Sequence, residues 1–239
     1  MQFFRVKTYE EMSRKAADIL AAQVMLKPRC VLGLATGSTP IGMYENLVEE
    51  YKEGRLDFSQ VKTVNLDEYC GLGPDDDQGY RYFMEKHLFK HVNVKPGNTH
   101  VPDGLAKDKN AVGRAYDEMI EDMGGIDLQV LGIGNNGHIG FNEPADHFTA
   151  GTHVVNLKES TIQANSRFFE DISQVPTQAV TMGMRSIMQA KRVLLLANKD
   201  KIDIVERAAF GLITPQVPAS LLQLHSNLTV ILVDPDGAE

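Results

Sequence analysis

Cysteine is scarce in this chain, with only Cys30 and Cys70 in 239 residues. That is too few for a disulfide framework, and the spacing does not suit a metal cluster. Basic residues are in the minority, with 24 Lys and Arg against 32 Asp and Glu and a formal charge of −8. No basic run interrupts this acidic balance, so the chain is poorly suited to gripping a phosphate backbone, and nucleic acid is not an expected partner. No apolar stretch approaches the roughly 20 residues that cross a bilayer, so no membrane partner is expected either. The opening MQFFRVKTYEEM lacks a charged leader followed by an apolar core. Internal repeats, low-complexity stretches and a convincing linker are also missing. These absences exclude collagen-like, disordered, secreted and membrane classes. They leave a soluble, cytoplasmic globular protein, expected to form one domain over residues 1–239.

The periodicity alternates between helix and strand. Thr8 followed by Glu11 reads as a capping box, and Ala16, Ile19, Leu20 and Val24 share the face of the helix it opens. Cys30 to Leu34 is an apolar run too brief for a helix and fit for a buried strand. It ends in Thr36-Gly37-Ser38-Thr39-Pro40, and Pro40 suits the first turn of a helix through Tyr44, Leu47 and Val48. Val61 to Leu66 predicts a strand stopped by Asp67-Glu68-Tyr69. Helices are expected over Tyr80 to His91, Ala111 to Met123 and Ile202 to Phe210, and strands over Leu128 to Ile133, Val193 to Ala197 and Leu228 to Val233. This alternation predicts an α/β fold: an open, mostly parallel, Rossmann-like sheet with helices on both faces. The irregular stretch from Thr149 to Gln178 is expected as a helical flap near the active site.

Three unusual stretches each follow a predicted strand, and in open α/β sheets ligands bind outside the carboxyl ends of strands. In the first, small residues and the hydroxyls of Ser38 and Thr39 precede a helix N-terminus, which fits a phosphate monoester. The GxxxxGK[ST] loop is absent, and a tight turn that binds nothing is equally compatible. In the second, Asp67 and Glu68 are adjacent, so along a continuing strand their carboxylates point oppositely. One could face a pocket as a base, while a helix cap or a solvated turn is the plainer reading. The third, Leu131 to Pro144, holds a literal GxGxxG at Gly132, Gly134 and Gly137, but Gly140 and Pro144 interrupt the helix that a dinucleotide site requires. Its more informative feature is His138 with Asn136 and Glu143 close by, since an amide and a carboxylate can fix a histidine's tautomer for acid–base work.

Two patterns imitate cation sites. His87 and His91 stand at i and i+4 but lack an HExxH motif and an obvious third ligand, so a solvated helix face is favoured. Asp75-Asp76-Asp77 lacks EF-hand spacing and is expected to start the helix at Tyr80. No metal site is expected.

Taken together and in this order, LGLATGSTP, NLDEY and GNNGHIGFNEP closely resemble the glucosamine-6-phosphate deaminase family. ANSRFF (Ala164 to Phe169) and PASLLQLH (Pro218 to His225) extend the likeness over nearly the whole chain. The related 6-phosphogluconolactonases share the fold but carry DER and GHTASLFP where this chain reads Asp67-Glu68-Tyr69 and His138-Ile139-Gly140-Phe141-Asn142-Glu143-Pro144. The resemblance implies conversion of glucosamine 6-phosphate and water into fructose 6-phosphate and ammonium, without metal or organic cofactor. It implies that His138 opens the sugar ring, oriented by Glu143 and Asn136, and that Asp67 moves the proton between the two reacting carbons. It assigns the substrate phosphate to Gly37, Ser38, Thr39, Arg167 and Lys201.

Many family members carry Asp where this chain has Asn136, which leaves Glu143 as the charged partner of His138. Asp146, His153 and Val155 stand where regulated members have Ser, Arg and Lys, so activation by N-acetylglucosamine 6-phosphate is not expected. Monomer and homo-oligomer both stay open. The competing readings are a sugar-phosphate-sensing effector module, a 6-phosphogluconolactonase and, last, a nicotinamide-dependent oxidoreductase.

Overall fold

The computed structural model describes residues 1–158, 162, 171 and 175–237. Seven of its strands are β1 (Gln2–Val6), β2 (Val31–Leu34), β3 (Lys62–Asn65), β5 (Thr99–His100), β6 (Leu128–Leu131), β9 (Val193–Ala197) and β10 (Leu228–Val233). They form one sheet in the order β1-β10-β9-β6-β2-β3-β5, with every neighbouring pair parallel. Inner strands such as β9 and β10 are buried at every residue, which is why they read as unbroken apolar runs rather than as alternations. β1 pairs with β10 at the sheet edge, and its charged and exposed positions hide it from a search for apolar runs.

The helices α1 (Tyr9–Leu26), α2 (Ile41–Lys52), α3 (Tyr80–His87) and α4 (Lys109–Asp122) connect the first strands, and helices Met184–Gln189 and Ile202–Phe210 the later ones. α1 starts as its sequence predicts. Thr8 Oγ1 accepts the Glu11 N–H at 3.2 Å, and the Glu11 carboxylate accepts the Lys7 N–H at 2.7 Å. The expected helix over Tyr80 to His91 stops at His87, and a 3₁₀ turn over Phe89–His91 follows. No described helix is long and apolar enough to cross a membrane.

A second, antiparallel sheet goes beyond the expected architecture. It pairs β4 (Asp67–Tyr69) with β8 (Gln178–Thr181), and β8 with β7 (His153–Asn156). Asp67-Glu68-Tyr69 is thus a strand of its own rather than the stop of β3: the chain leaves the large sheet at Leu66 and joins β8. Of the stretch expected as a helical flap, His153–Asn156 is a strand and Gln178 begins another. ANSRFF, Arg167 included, lies outside the described residues, as does much of the remainder.

The strand order fixes where a ligand can sit. From β2 the chain steps outward through β3 and β5. It then returns to β6 on the other side of β2 and proceeds through β9 to β10. β2 and β6 are therefore neighbours whose connections diverge, which opens a crevice at their carboxyl ends.

Candidate active site

A cleft of about 670 Å³ occupies this crevice, and its walls bring together Gly37, Ser38, Thr39, Asp67, His138 and Lys201. Three stretches far apart in the sequence meet there because they follow β2, β3 and β6.

The loop after β2 turns on Gly37, whose φ of +88° belongs to the left-handed region that glycine tolerates. Ser38 is exposed and Thr39 half-buried, just ahead of α2. Two tyrosines hold the loop. Tyr44 donates to the Ala35 carbonyl at 2.6 Å, while Tyr9 donates to the Ser38 carbonyl at 3.1 Å and accepts the Gly42 N–H at 2.8 Å. Tyr9 lies on α1, 29 residues before Ser38, and nothing in the local sequence marks it for this role. Lys201, at the start of helix Ile202–Phe210, lines the same cleft and donates to Asn135 Oδ1 while pairing with Asp200 at 3.0 Å. A glycine turn with two hydroxyls, a helix N-terminus and an ammonium is a set of groups able to take a phosphate monoester.

After β6 the chain does not open a helix. The Gly134 N–H donates to the His138 carbonyl and the Gly137 N–H to the Gly134 carbonyl, both at 2.9 Å, closing a tight loop. That geometry disposes of the dinucleotide reading of GxGxxG. Gly134 serves another purpose: a Cβ there would fall 2.1–2.4 Å from the His138 ring, so only glycine lets the imidazole lie where it does.

The imidazole is oriented from one side. Its Nδ1 lies 2.7 Å from Asn136 Oδ1 and 3.3 Å from Glu143 Oε1, and Asn136 Nδ2 donates to Glu143 Oε2 at 2.7 Å. That last bond turns the amide oxygen toward the ring, so Nδ1 faces two acceptors and must carry the hydrogen. Nε2 is then left unprotonated in the neutral ring, free to accept a proton. Burial pushes the His138 pKa below its ordinary value, and Lys201 and Lys158 add to this against the opposing pull of Glu143. Lys158 sits 3.4 Å from Glu143 Oε2, a role that nothing in the sequence signals, since there it is one lysine among many.

Asp67 faces the cleft, and Glu68 does not. Asp67 is buried and lines the cleft, and its carboxylate accepts no hydrogen bond among the described residues. Burial first, and the neighbouring Glu68 second, push its carboxyl up to about 8. Glu68 points the other way and caps α3. Its Oε1 accepts the N–H of Tyr69 at 2.8 Å and of Tyr80 at 2.9 Å, and its Oε2 accepts the N–H of Arg81 at 2.8 Å. The helix therefore begins at Tyr80 as expected, but its N-cap residue Gly79 offers no side chain, and Asp75 to Asp77 do not supply the cap. Tyr69, Tyr80 and Phe141 form an apolar wall beside Asp67, with Tyr80 stacked on Phe141 at 6.2 Å and 8°.

No group of three or more His, Cys, Asp or Glu among the described residues could hold a metal. His91 Nε2 instead bonds the Lys86 carbonyl at 2.8 Å, and His87 packs on Phe83.

Residues 6–231 match the family model of glucosamine-6-phosphate isomerases/6-phosphogluconolactonase. The chain belongs to that family. It is 61% identical to a glucosamine-6-phosphate deaminase of Lachnoclostridium phytofermentans over 97% of this chain and 98% of the relative. Against the Clostridium perfringens deaminase the identity is 51%, over 100% of this chain and 99% of the other. Among solved structures, a monomeric glucosamine-6-phosphate deaminase superposes with a TM-score of 0.95 at 45% identity, covering 98% of both chains. The 6-phosphogluconolactonase of Thermotoga maritima superposes with a TM-score of 0.75 at 19% identity, over 97% of this chain and 98% of that one, a likeness of fold alone.

Proposed function

We propose that this chain is an enzyme of amino-sugar metabolism that converts glucosamine 6-phosphate and water into fructose 6-phosphate and ammonium. The observation that carries this reading is one cleft holding both a desolvated carboxylate and a histidine whose tautomer is fixed, beside a loop suited to phosphate. Full-length identity above 50% to glucosamine-6-phosphate deaminases supports the same substrate.

The chemistry follows from the two groups. With the phosphate held by Gly37, Ser38, Thr39 and Lys201, and Arg167 assigned there by resemblance, the sugar ring lies across the cleft. His138 Nε2 takes the proton of the anomeric hydroxyl and delivers one to the ring oxygen as the C1–O5 bond breaks. Glu143 and Asn136 steady the imidazolium that forms between these steps. The aldehyde so exposed acidifies the hydrogen on C2. Asp67 removes it as a proton, a proton of the C2 ammonium passes to O1 to leave a neutral enolamine, and Asp67 returns its proton to C1. The C2 iminium then adds water and expels ammonium, leaving the ketone. A carboxyl pushed up to about 8 is a far stronger base than an ordinary aspartate. An ammonium at C2 of the arriving sugar favours its ionised form. The scheme needs neither metal nor organic cofactor.

The test is release of ammonium and fructose 6-phosphate in equal amounts by the purified protein. Asp67→Asn should abolish both products while the variant still binds substrate. Saturable binding of sugar phosphates without turnover by the unaltered protein would favour a sensing module, and hydrolysis of 6-phosphogluconolactone a lactonase.

A further inference from the structure

We infer that Glu68 is a positioning residue for proton transfer at Asp67: its buried carboxylate pins the N-terminus of α3 to β4, sets Tyr80 against the base and places a fixed negative charge beside it. The inference rests on Asp67 being the base.

Glu68 is 4% exposed, and its two oxygens accept three backbone N–H groups from two elements. An N-terminal cap from so far outside a helix is otherwise unneeded, since a Ser, Asp or Asn in place of Gly79 would do the same locally. What the remote cap achieves is a fixed distance between α3 and β4. Tyr80, the first residue of α3, is thereby held over Tyr69, to whose hydroxyl it donates at 3.1 Å, and flat against Phe141. Those rings form the dry side of Asp67.

The charge is the second part of the role. Burial raises the Glu68 carboxyl above its ordinary value, while its three N–H donors oppose that rise and favour the anion. No cation pairs with Glu68 among the described residues. The guanidinium of Arg81 is turned away, to the Thr99 carbonyl and to Glu85, both at 2.9 Å. Around the two carboxylates stand Tyr80 of α3, Tyr116 of α4, Asp76 in the loop before α3, and Cys70 after β4 with Lys109 near it; His138 lies across the cleft. The anionic Glu68 therefore acts on Asp67 with little compensation, and it strengthens the base.

The decisive measurement is the ¹³C NMR titration of the Asp67 carboxyl carbon, assigned by its loss in Asp67→Asn, in the full chain and its Glu68 variants. Glu68→Gln should move the Asp67 midpoint to lower pH and lower kcat about tenfold, with KM nearly unchanged. Glu68→Asp keeps the charge but shortens the reach, so the midpoint should stay close to that of the unaltered chain while kcat falls. An Asp67 midpoint that does not move in a folded Glu68→Gln variant overturns the inference. If that variant does not fold, a Glu68→Asp variant with undiminished kcat overturns it instead. Failure of the unaltered chain to release ammonium would refute the deaminase reading separately, because the titration needs no substrate.

Discussion

Asp67 should destabilise the fold that positions it, and Asp67→Asn should release that cost. The carboxyl rises from its ordinary 3.8 to about 8 on folding. Below pH 3.8 it is protonated in both folded and unfolded chains and adds no pH dependence. Between 3.8 and about 8 the unfolded chain has given up this proton while the folded chain retains it. Stability therefore falls by about 1.4 kcal/mol per pH unit over that window. The full window sets a ceiling of roughly 6 kcal/mol. Relaxation around a buried charge softens such a penalty, so about half of this, roughly 3 kcal/mol, is the expected gain of the neutral amide at about pH 8. For a chain of this size that is a rise in Tm of about 6–12 °C at about pH 8. The amide's own burial adds an offset that does not depend on pH, so the slope is the readout. Thermal melts of both proteins from about pH 5 to about pH 9, without substrate, should show the Asp67→Asn variant gaining steadily on the original up to about pH 8. Parallel curves across that range would refute the claim that Asp67 is held in a desolvated state.

Two other substitutions test the histidine. Asn136→Asp adds a carboxylate where Asn136 Oδ1 now lies 2.7 Å from Nδ1, so the His138 midpoint should rise; an imidazole NMR titration with no shift, or a downward one, would contradict the assigned orientation. Gly134→Ala inserts a methyl into the space of the ring, and turnover should drop about a hundredfold with the fold intact, because a displaced imidazole loses its alignment. Normal turnover in that variant would mean the ring need not lie against this loop.

Much of the large sheet can be read along the chain. Val193–Ala197, Ile202–Phe210 and Leu228–Val233 match the expected elements residue for residue. Each is a local pattern, an apolar run or a helical stripe, created by burial on both faces or one. The strands that escape such a reading are short, polar or partly exposed ones that carry no apolar run of their own and owe their form to the chain packed beside them. β4 is three residues long and is stabilised by pairing with β8, where Asp67 faces Thr181. The cap of α3 is hidden for the same reason, because Glu68 reaches Tyr80 and Arg81 across a loop rather than from the preceding position.

The sequence by itself determined which chemical groups are present and on which kind of element each sits: a small-residue loop before a helix, an acidic pair after a strand, a histidine among glycines beside an amide and a carboxylate. Those are properties of residue type and spacing, set by steric and hydrogen-bonding rules that act over a few residues. Only the tertiary structure decided which of Asp67 and Glu68 faces the cleft, that Nδ1 rather than Nε2 is the held nitrogen of His138, and that the β2, β3 and β6 loops share one pocket. Those outcomes depend on strand order and on burial, and burial is a property of the packed chain. The same carboxyl group becomes a desolvated acid facing a cleft or a helix cap according to what surrounds it.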